Sequence, residues 1–217
     1  MDARPCGSQH GLDAQKKTLA ASERKPTKRA EFLARIRDRD AQDIVVIDEM
    51  GSNLNLTPRY ARAPRGERAH GSIPRNTPPN TTLIAALTLD GMGAAMVLEG
   101  ATTTAAFEVY VEHFLAPTLR RGQVVVLDNL SAHKSTHVAE MITKCGCELW
   151  PLPAYSPDFS PIEEAFSKVK NGLRRAKART AAALLDALTD GLDTITAADA
   201  RGYFTHCGYR VHAQADQ

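Results

Sequence analysis

Long apolar runs are missing from this chain of 217 residues. No stretch approaches the roughly 18 apolar residues that a membrane-spanning helix needs, and the first residues, Met1 to Pro5, lack the apolar core of a signal peptide. Cysteines are also few. Only one residue separates Cys145 from Cys147, whereas the usual zinc knuckle has two residues between its cysteines. We therefore expect a cytoplasmic protein with reduced thiols and no structural zinc.

A large excess of one charge is missing too, because the net charge is only +2. The basic residues are nevertheless clustered. Residues 1–40 hold ten Lys and Arg against six Asp and Glu. A second cluster, without any acid, comprises Lys168, Lys170, Arg174, Arg175, Lys177 and Arg179. Clustered basic charge suits a phosphate backbone, and a solvated helix face is the alternative interpretation.

Two apolar runs each lead into an aspartate. Residues 44–47 precede Asp48 and residues 124–127 precede Asp128. Open α/β sheets place their sites at the carboxyl ends of strands, although an aspartate there can also simply cap a turn. Glu49 follows Asp48 and should point to the other face of the sheet, which makes it the weaker candidate. Beyond Asp128, Asn129 and His133 can orient a phosphate or a water molecule, or hydrogen-bond to the loop backbone.

The third acid is Glu163, with 34 residues between it and Asp128. It begins a predicted helix over residues 161–176, whose core stripe is Ile162, Phe166, Val169 and Leu173. An adjacent stripe holds Glu163, Ser167, Lys170 and Arg174, so that one helix would combine a carboxylate with a basic path. A structural alternative exists, because Ser160 to Glu163 matches a capping box. Three converging carboxylates would form a hard-oxygen site for a divalent metal.

Periodicity predicts a mixed sheet with helices on both faces. We expect the first strand to end at Asp48 and Glu49, and a hairpin at Asp90 and Gly91. A helix is expected to run from the threonines at 102–104 to about Thr118, with Phe107, Val111, Phe114 and Leu115 facing inward. The expected domains are a basic tail or linker with a short helix from Ala30 over residues 1–40, a catalytic domain over 41–209 and a tail over 210–217.

Three segments resemble transposases of the IS630/Tc1/mariner superfamily. Residues 152–163 (LPAYSPDFSPIE) resemble the signature before the third acid, residues 127–134 (LDNLSAHK) the block around the second, and residues 47–49 (IDE) the first. The arginine-rich residues 59–68 (RYARAPRGER) resemble the IS630 branch in particular. Two departures are Ser160 where Asn is usual and Ala154 where Pro is common.

This resemblance, over about residues 15–209, implies an RNase H-like DDE catalytic domain with a five-stranded sheet. It places the acidic triad at Asp48, Asp128 and Glu163, binding two Mg²⁺ or Mn²⁺ ions that cleave and rejoin DNA. DNA-backbone contacts are expected from the following basic residues: Arg59, Arg62, Arg65, Arg68, Lys168, Lys170, Arg174 and Arg175. Expected partners are inverted-repeat ends and target DNA, a second copy in a homodimer, and a separate N-terminal half with helix-turn-helix modules, because about 40 residues before the first strand are too few for such modules.

Two other functions remain open on the sequence. One is a catalytically silent DNA-binding remnant of a transposase, which the missing N-terminal reader favours and the three acids disfavour. The other is an RNase H-like nuclease for RNA–DNA hybrids or branched DNA, which the signature at 152–163 fits less well.

Overall fold

The structure is a computed structural model that describes residues 21–58, 60–76, 79–128 and 135–212. Its centre is a five-stranded sheet in the order β3-β2-β1-β4-β5. The strands are β1 (Ile44–Ser52), β2 (Thr81–Thr88), β3 (Gly91–Glu99), β4 (Val124–Leu127) and β5 (Glu148–Pro151). β1, β2 and β3 pair antiparallel, and β4 pairs parallel to both β1 and β5. The predicted mixed sheet and the hairpin at Asp90 are therefore confirmed.

Helices cover both faces of the sheet, as predicted. The helices are α1 (Pro26–Asp38), α2 (Thr104–Tyr110), α3 (Thr136–Lys144), α4 (Pro161–Ala176), α5 (Ala181–Asp193) and α6 (Ala197–His206). Buried side chains of α1, α4, α5 and α6 share one core cluster with alternate residues of the strands. Those of α2 and α3 form the second cluster on the opposite face. No helix in the described part of the chain is long and apolar enough to span a membrane.

The first strand is longer than predicted. β1 continues past Asp48 to Ser52 because β2 pairs with it over that whole length, from Val46 with Leu87 to Ser52 with Thr81. Pairing with β4 stops at Ile47 and Leu127. Asp48 therefore lies inside a strand but at the edge of the parallel part of the sheet.

Two helices also differ from expectation. α1 starts at Pro26, four residues before the predicted start, and buries Phe32 and Ile36 in the main core. α2 is capped by Thr103, then changes into one π-helical turn over Val111–Leu115. That turn leaves Phe114 partly exposed, so its predicted inward orientation is wrong, whereas Phe107, Val111 and Leu115 are buried as expected.

Candidate active site

The register of β1 and β4 places two aspartates side by side. Ile47 pairs with Leu127, so the next residue on each chain is an aspartate, and neighbouring strands lie about 4.8 Å apart. Alternate residues of both strands belong to the core cluster on the α4 side, with Val46 and Val126 two positions before the acids. Alternation therefore directs Asp48 and Asp128 toward α4. Both are half-buried, and Asp48 Oδ1 accepts a hydrogen bond of 2.8 Å from the Glu49 amide.

The third acid comes from the first turn of α4. Ile162, Ala165, Phe166, Val169 and Leu173 are buried against the sheet, which confirms the predicted core stripe. This packing fixes the helix and leaves Glu163 on an exposed face beside the core. Asp48, Asp128 and Glu163 line one cavity of about 420 Å³, together with residues 152–157 and Ser160. Glu49, on the other strand face, is not among the lining residues, as alternation predicts.

Ser160 does not cap α4. Although it stands at the N-cap position, its side chain makes no capping hydrogen bond. Its hydroxyl is fully buried and has no hydrogen-bond partner among the described residues. The capping-box interpretation of Glu163 is therefore wrong, because one half of that reciprocal pair is missing. Ser160 is nevertheless one of the residues that line the cavity.

The three acids are not yet gathered as metal ligands. Over the described ranges, no group of three His, Cys, Asp or Glu side chains lies close enough to hold one ion. Asp48 and Asp128 thus line the cavity from the edge of the sheet, and Glu163 lines it from the start of α4. Asn129 and His133, predicted beside Asp128, lie outside the described residues.

A basic groove of about 650 Å³ continues from the cavity. The two share Glu163, and from there the groove follows α4. Its lining consists of Pro58, Tyr60, Glu163, Ser167, Lys170, Asn171, Arg174 and Arg175. The predicted stripe of Glu163, Ser167, Lys170 and Arg174 therefore faces one groove. Sequence reasoning did not predict that Tyr60 lines the groove, although an aromatic residue among arginines is a usable signal. In the structure Tyr60 is 91% exposed.

The other predicted basic residues have different positions. Lys168 is not in the groove, because its ammonium donates to the Thr194 carbonyl and to Asp199, both at 2.8 Å. Arg62, Arg65 and Arg68 lie exposed in the coil between β1 and β2. Arg59 lies outside the described residues. Arg179 anchors the start of that coil to the end of α4, by donating to the Leu54 carbonyl at 2.8 Å and the Leu56 carbonyl at 3.1 Å.

Known proteins share this domain and this fold. The family model described as "DDE superfamily endonuclease" matches residues 43–185, which include all three acids. The chain belongs to this DDE endonuclease family. No curated protein sequence matches the chain.

Solved structures of the Mos1 transposase have a similar fold. A pre-cleavage Mos1 transpososome superposes with a TM-score of 0.69 at 15% identity, over 91% of this chain and 64% of that one. The catalytic domain of Mos1 mariner transposase gives a TM-score of 0.60 at 15% identity, over 83% of each chain. A Mos1 paired-end complex with Mg gives 0.66 at 15% identity, over 92% of this chain and 65% of that one. The sheet and its helices are thus the RNase H-like DDE transposase fold, and the chain spans less than two thirds of the transpososome protein.

Proposed function

We propose that this DDE domain is the catalytic domain of a transposase of the IS630/Tc1/mariner superfamily, which cleaves DNA strands and joins them to a target. One observation supports this most directly. Asp48, Asp128 and Glu163 line a single cavity that leads into a groove with three cationic side chains. Acids for phosphodiester chemistry and cations for the DNA backbone are thus adjacent, as a nuclease or strand transferase needs.

The cavity suits divalent metal ions. Carboxylates are hard oxygen ligands of the kind that Mg²⁺ and Mn²⁺ prefer, and Asp48 and Asp128 stand at neighbouring positions of two strands. Ser160 lines the same cavity, and its buried hydroxyl has no hydrogen-bond partner among the described residues. When bound, two such ions would stabilise the attacking and the leaving oxygen of an in-line displacement. Mos1 paired-end complexes are known with Mg and with Mn, which supports divalent ions here.

We assign different roles to the three acids. Asp48 and Asp128 would hold the ions from the sheet edge, and Glu163 would complete the ligand set from α4. No three described ligands are close enough to share one ion, and rotation of the exposed Glu163 side chain would bring it closer to the aspartates when ions bind. Asn129 and His133 keep their predicted supporting roles next to Asp128.

The groove along α4 is the proposed path of the DNA backbone. Lys170, Arg174 and Arg175 would contact phosphates and set the position of the duplex without reading its sequence. Arg59, Arg62, Arg65 and Arg68, from the arginine-rich segment of the sequence that also contains Tyr60, are proposed to add further contacts with the DNA backbone. We leave Lys168 out of this path, since its charge is already paired with Asp199.

The partners follow from the reaction. Transposon ends and target DNA are the proposed substrates, and a homodimer would hold two ends together. Sequence-specific binding of the ends would come from helix-turn-helix modules, supplied by a separate N-terminal half. A cytoplasmic location is proposed.

A catalytically silent DNA-binding protein is the second candidate. The observation in its favour is the spread of the acids along the cavity wall, with no three of the described ligand side chains close enough for one ion. Such a protein would keep the basic groove and bind DNA in a salt-dependent way, but it would not cut it.

Nicking of supercoiled DNA separates the two. Purified wild-type protein should nick with Mg²⁺ or Mn²⁺ and stop when EDTA removes the ions. Asp128→Asn and Glu163→Gln should reduce nicking to background while DNA binding persists. Asp90→Asn, in the exposed turn between β2 and β3, is the matched control and should nick like wild type. Binding without any nicking by the wild-type protein would favour the silent protein, and nicking by Asp128→Asn at the wild-type rate would refute the acidic site.

A further inference from the structure

Two arginines, Arg24 just before α1 and Arg29 in its first turns, bind the segment of residues 154–160, most of which lines the catalytic cavity. Arg29 donates to the Asp158 carboxylate from its two terminal guanidinium nitrogens, at 3.1 and 2.5 Å. Arg24 donates to the same carboxylate at 2.6 Å. Asp158 lies about 130 positions along the chain from both of them, so these ion pairs join two distant parts of the sequence. Charge-assisted, bidentate contacts of this kind are the stronger class of hydrogen bond.

Arg24 makes a second contact that reaches the cavity itself. Its Nε donates to the Tyr155 carbonyl at 2.7 Å. Tyr155 has a φ of +56°, in the left-handed region that a bulky side chain adopts only under constraint. Tyr155 is 57% exposed and lines the cavity together with Asp48, Asp128 and Glu163. Unfavourable backbone conformations persist where the surroundings enforce them, and they concentrate at functional sites.

The end of the segment has further contacts with α1 and with Tyr209, and the Arg29 guanidinium lies 4.3 Å from the centre of the Phe159 ring. The Phe159 ring packs on Phe32, with 5.5 Å between centroids. The Tyr209 hydroxyl donates to the Phe159 carbonyl at 2.8 Å. These contacts fix the end of the segment near α4. Tyr155, four residues earlier, depends on Arg24 for the contact at its carbonyl. Hydrogen bonding from Arg29 lowers the pKa of the Asp158 carboxyl, so it stays ionised at neutral pH.

We propose that Arg24 is a positioning residue, which together with Arg29 fixes Tyr155 in its left-handed conformation so that the ring contacts DNA at the mouth of the catalytic cavity. This inference rests on the proposed DNA-cleaving function. A tyrosine ring beside the acids can stack on a base of the strand whose phosphate enters the cavity, since every base has a π face. Arg24 acts through the backbone of Tyr155 and does not touch the DNA.

Hydrogen–deuterium exchange tests, without DNA or metal, whether the Arg24 hydrogen bonds order residues 154–160. The Phe159 and Ser160 amides donate to Ser156 and Pro157 in the short turn that follows Tyr155, so they report on the order of the segment. Arg24→Ala should speed exchange of residues 154–160 by about tenfold, because two hydrogen bonds are lost. The matched control is Arg39→Ala, which breaks an ion pair with Glu148 near the other end of α1. Arg39→Ala should leave the exchange rate of residues 154–160 unchanged. Equal exchange rates in the two variants would refute the ordering role of Arg24.

Nicking kinetics test the link to Tyr155. Arg24→Ala and Tyr155→Ala should each lower kcat by about tenfold, and Tyr155→Phe, which keeps the ring, should stay within about twofold of wild type. If Arg24 works through Tyr155, the double variant should be no slower than Tyr155→Ala alone. Effects of the two substitutions that multiply, or a normal rate for Tyr155→Ala, would overturn the role of the ring.

The exchange and nicking experiments distinguish failure of the proposed function from failure of the role assigned to Arg24. If the wild-type protein shows no metal-dependent nicking, the proposed function fails, while the exchange experiment still decides whether Arg24 orders the segment. In that case Tyr155 is tested by binding of single-stranded DNA, where Tyr155→Ala should weaken affinity by about tenfold relative to Tyr155→Phe. Equal affinity of those two variants would remove the ring from the DNA contact.

Discussion

Salt dependence of DNA binding gives a quantitative test of the groove along α4. Each phosphate contact that releases counterions contributes about 0.9 to the slope of log K against log salt for duplex DNA. Three cations line the groove: Lys170, Arg174 and Arg175. If each meets one phosphate, changing all three to glutamine should reduce the slope by about 2.7. Between 50 and 200 mM salt, those contacts account for a loss of affinity of about 40-fold.

The fold should tolerate these changes. Lys170 and Arg174 are partly exposed and Arg175 is exposed. Arg174 makes a local hydrogen bond of 2.8 Å to Asn171 on the same helix. Replacing the cations in the last turn of a helix costs about 0.5 kcal/mol each through the helix dipole. Thermal unfolding of the triple variant should therefore remain cooperative, and a change in the slope can be assigned to DNA contacts.

Lys168→Gln is the matched control, since Lys168 lies on the same helix two positions before Lys170. Its ammonium already pairs with Asp199, so it releases no counterion when DNA binds. The assay is fluorescence anisotropy of a labelled duplex at several salt concentrations. A slope change below about 1 for the triple variant, or an equal change for Lys168→Gln, would refute the groove as the backbone path.

Three further predictions concern the supports of the site. The hydrogen bond from Lys168, together with those from Thr196, lowers the pKa of Asp199 to about 2 in the folded protein. The stability that the ionised Asp199 contributes should therefore be present above about pH 4 and lost as the pH falls toward 2. Over that pH range, the urea midpoint should fall less for Lys168→Gln than for the wild-type protein. Tyr209→Phe leaves the Phe159 carbonyl without its buried donor, and should lower the free energy of unfolding by about 1 kcal/mol in urea titrations. Ser160→Ala should not destabilise α4, whereas loss of a true cap would cost about 1 kcal/mol. The same substitution should slow nicking, because Ser160 is part of the cavity wall, and nicking assays of the variant check this.

Local patterns were enough to predict the site in outline. Apolar runs before Asp48 and Asp128 predicted two strands, and parallel neighbours place their carboxyl ends together. Helical periodicity around Phe166 predicted both the buried face of α4 and the groove beside it. Each of these inferences depends on residues within a few positions of one another, where alternation and helical spacing report burial directly.

Features that depend on distant partners could not be predicted. β1 continues beyond Asp48 because β2, about 35 residues later, pairs with it. The ion pairs of Arg24 and Arg29 with Asp158 join segments that share no periodic pattern. The capping box at Ser160 was wrong for a related reason. The local sequence permits the cap, but the side chain is buried in the cavity wall, and tertiary packing decides between the two positions.

Packing also determines what can move when ions bind. The backbones of Asp48 and Asp128 follow fully buried runs of sheet, and α4 is fixed by buried side chains such as Phe166. Moving a packed backbone disturbs a close-packed interior that resists deformation. Rotating the exposed Glu163 side chain costs at most about 2 kcal/mol of conformational entropy. The acids can therefore come together around a cation by rotation of the Glu163 side chain toward a fixed pair of aspartates. During that rotation, the rigid cavity wall that contains Tyr155 and Ser160 would hold the bound DNA strand in place.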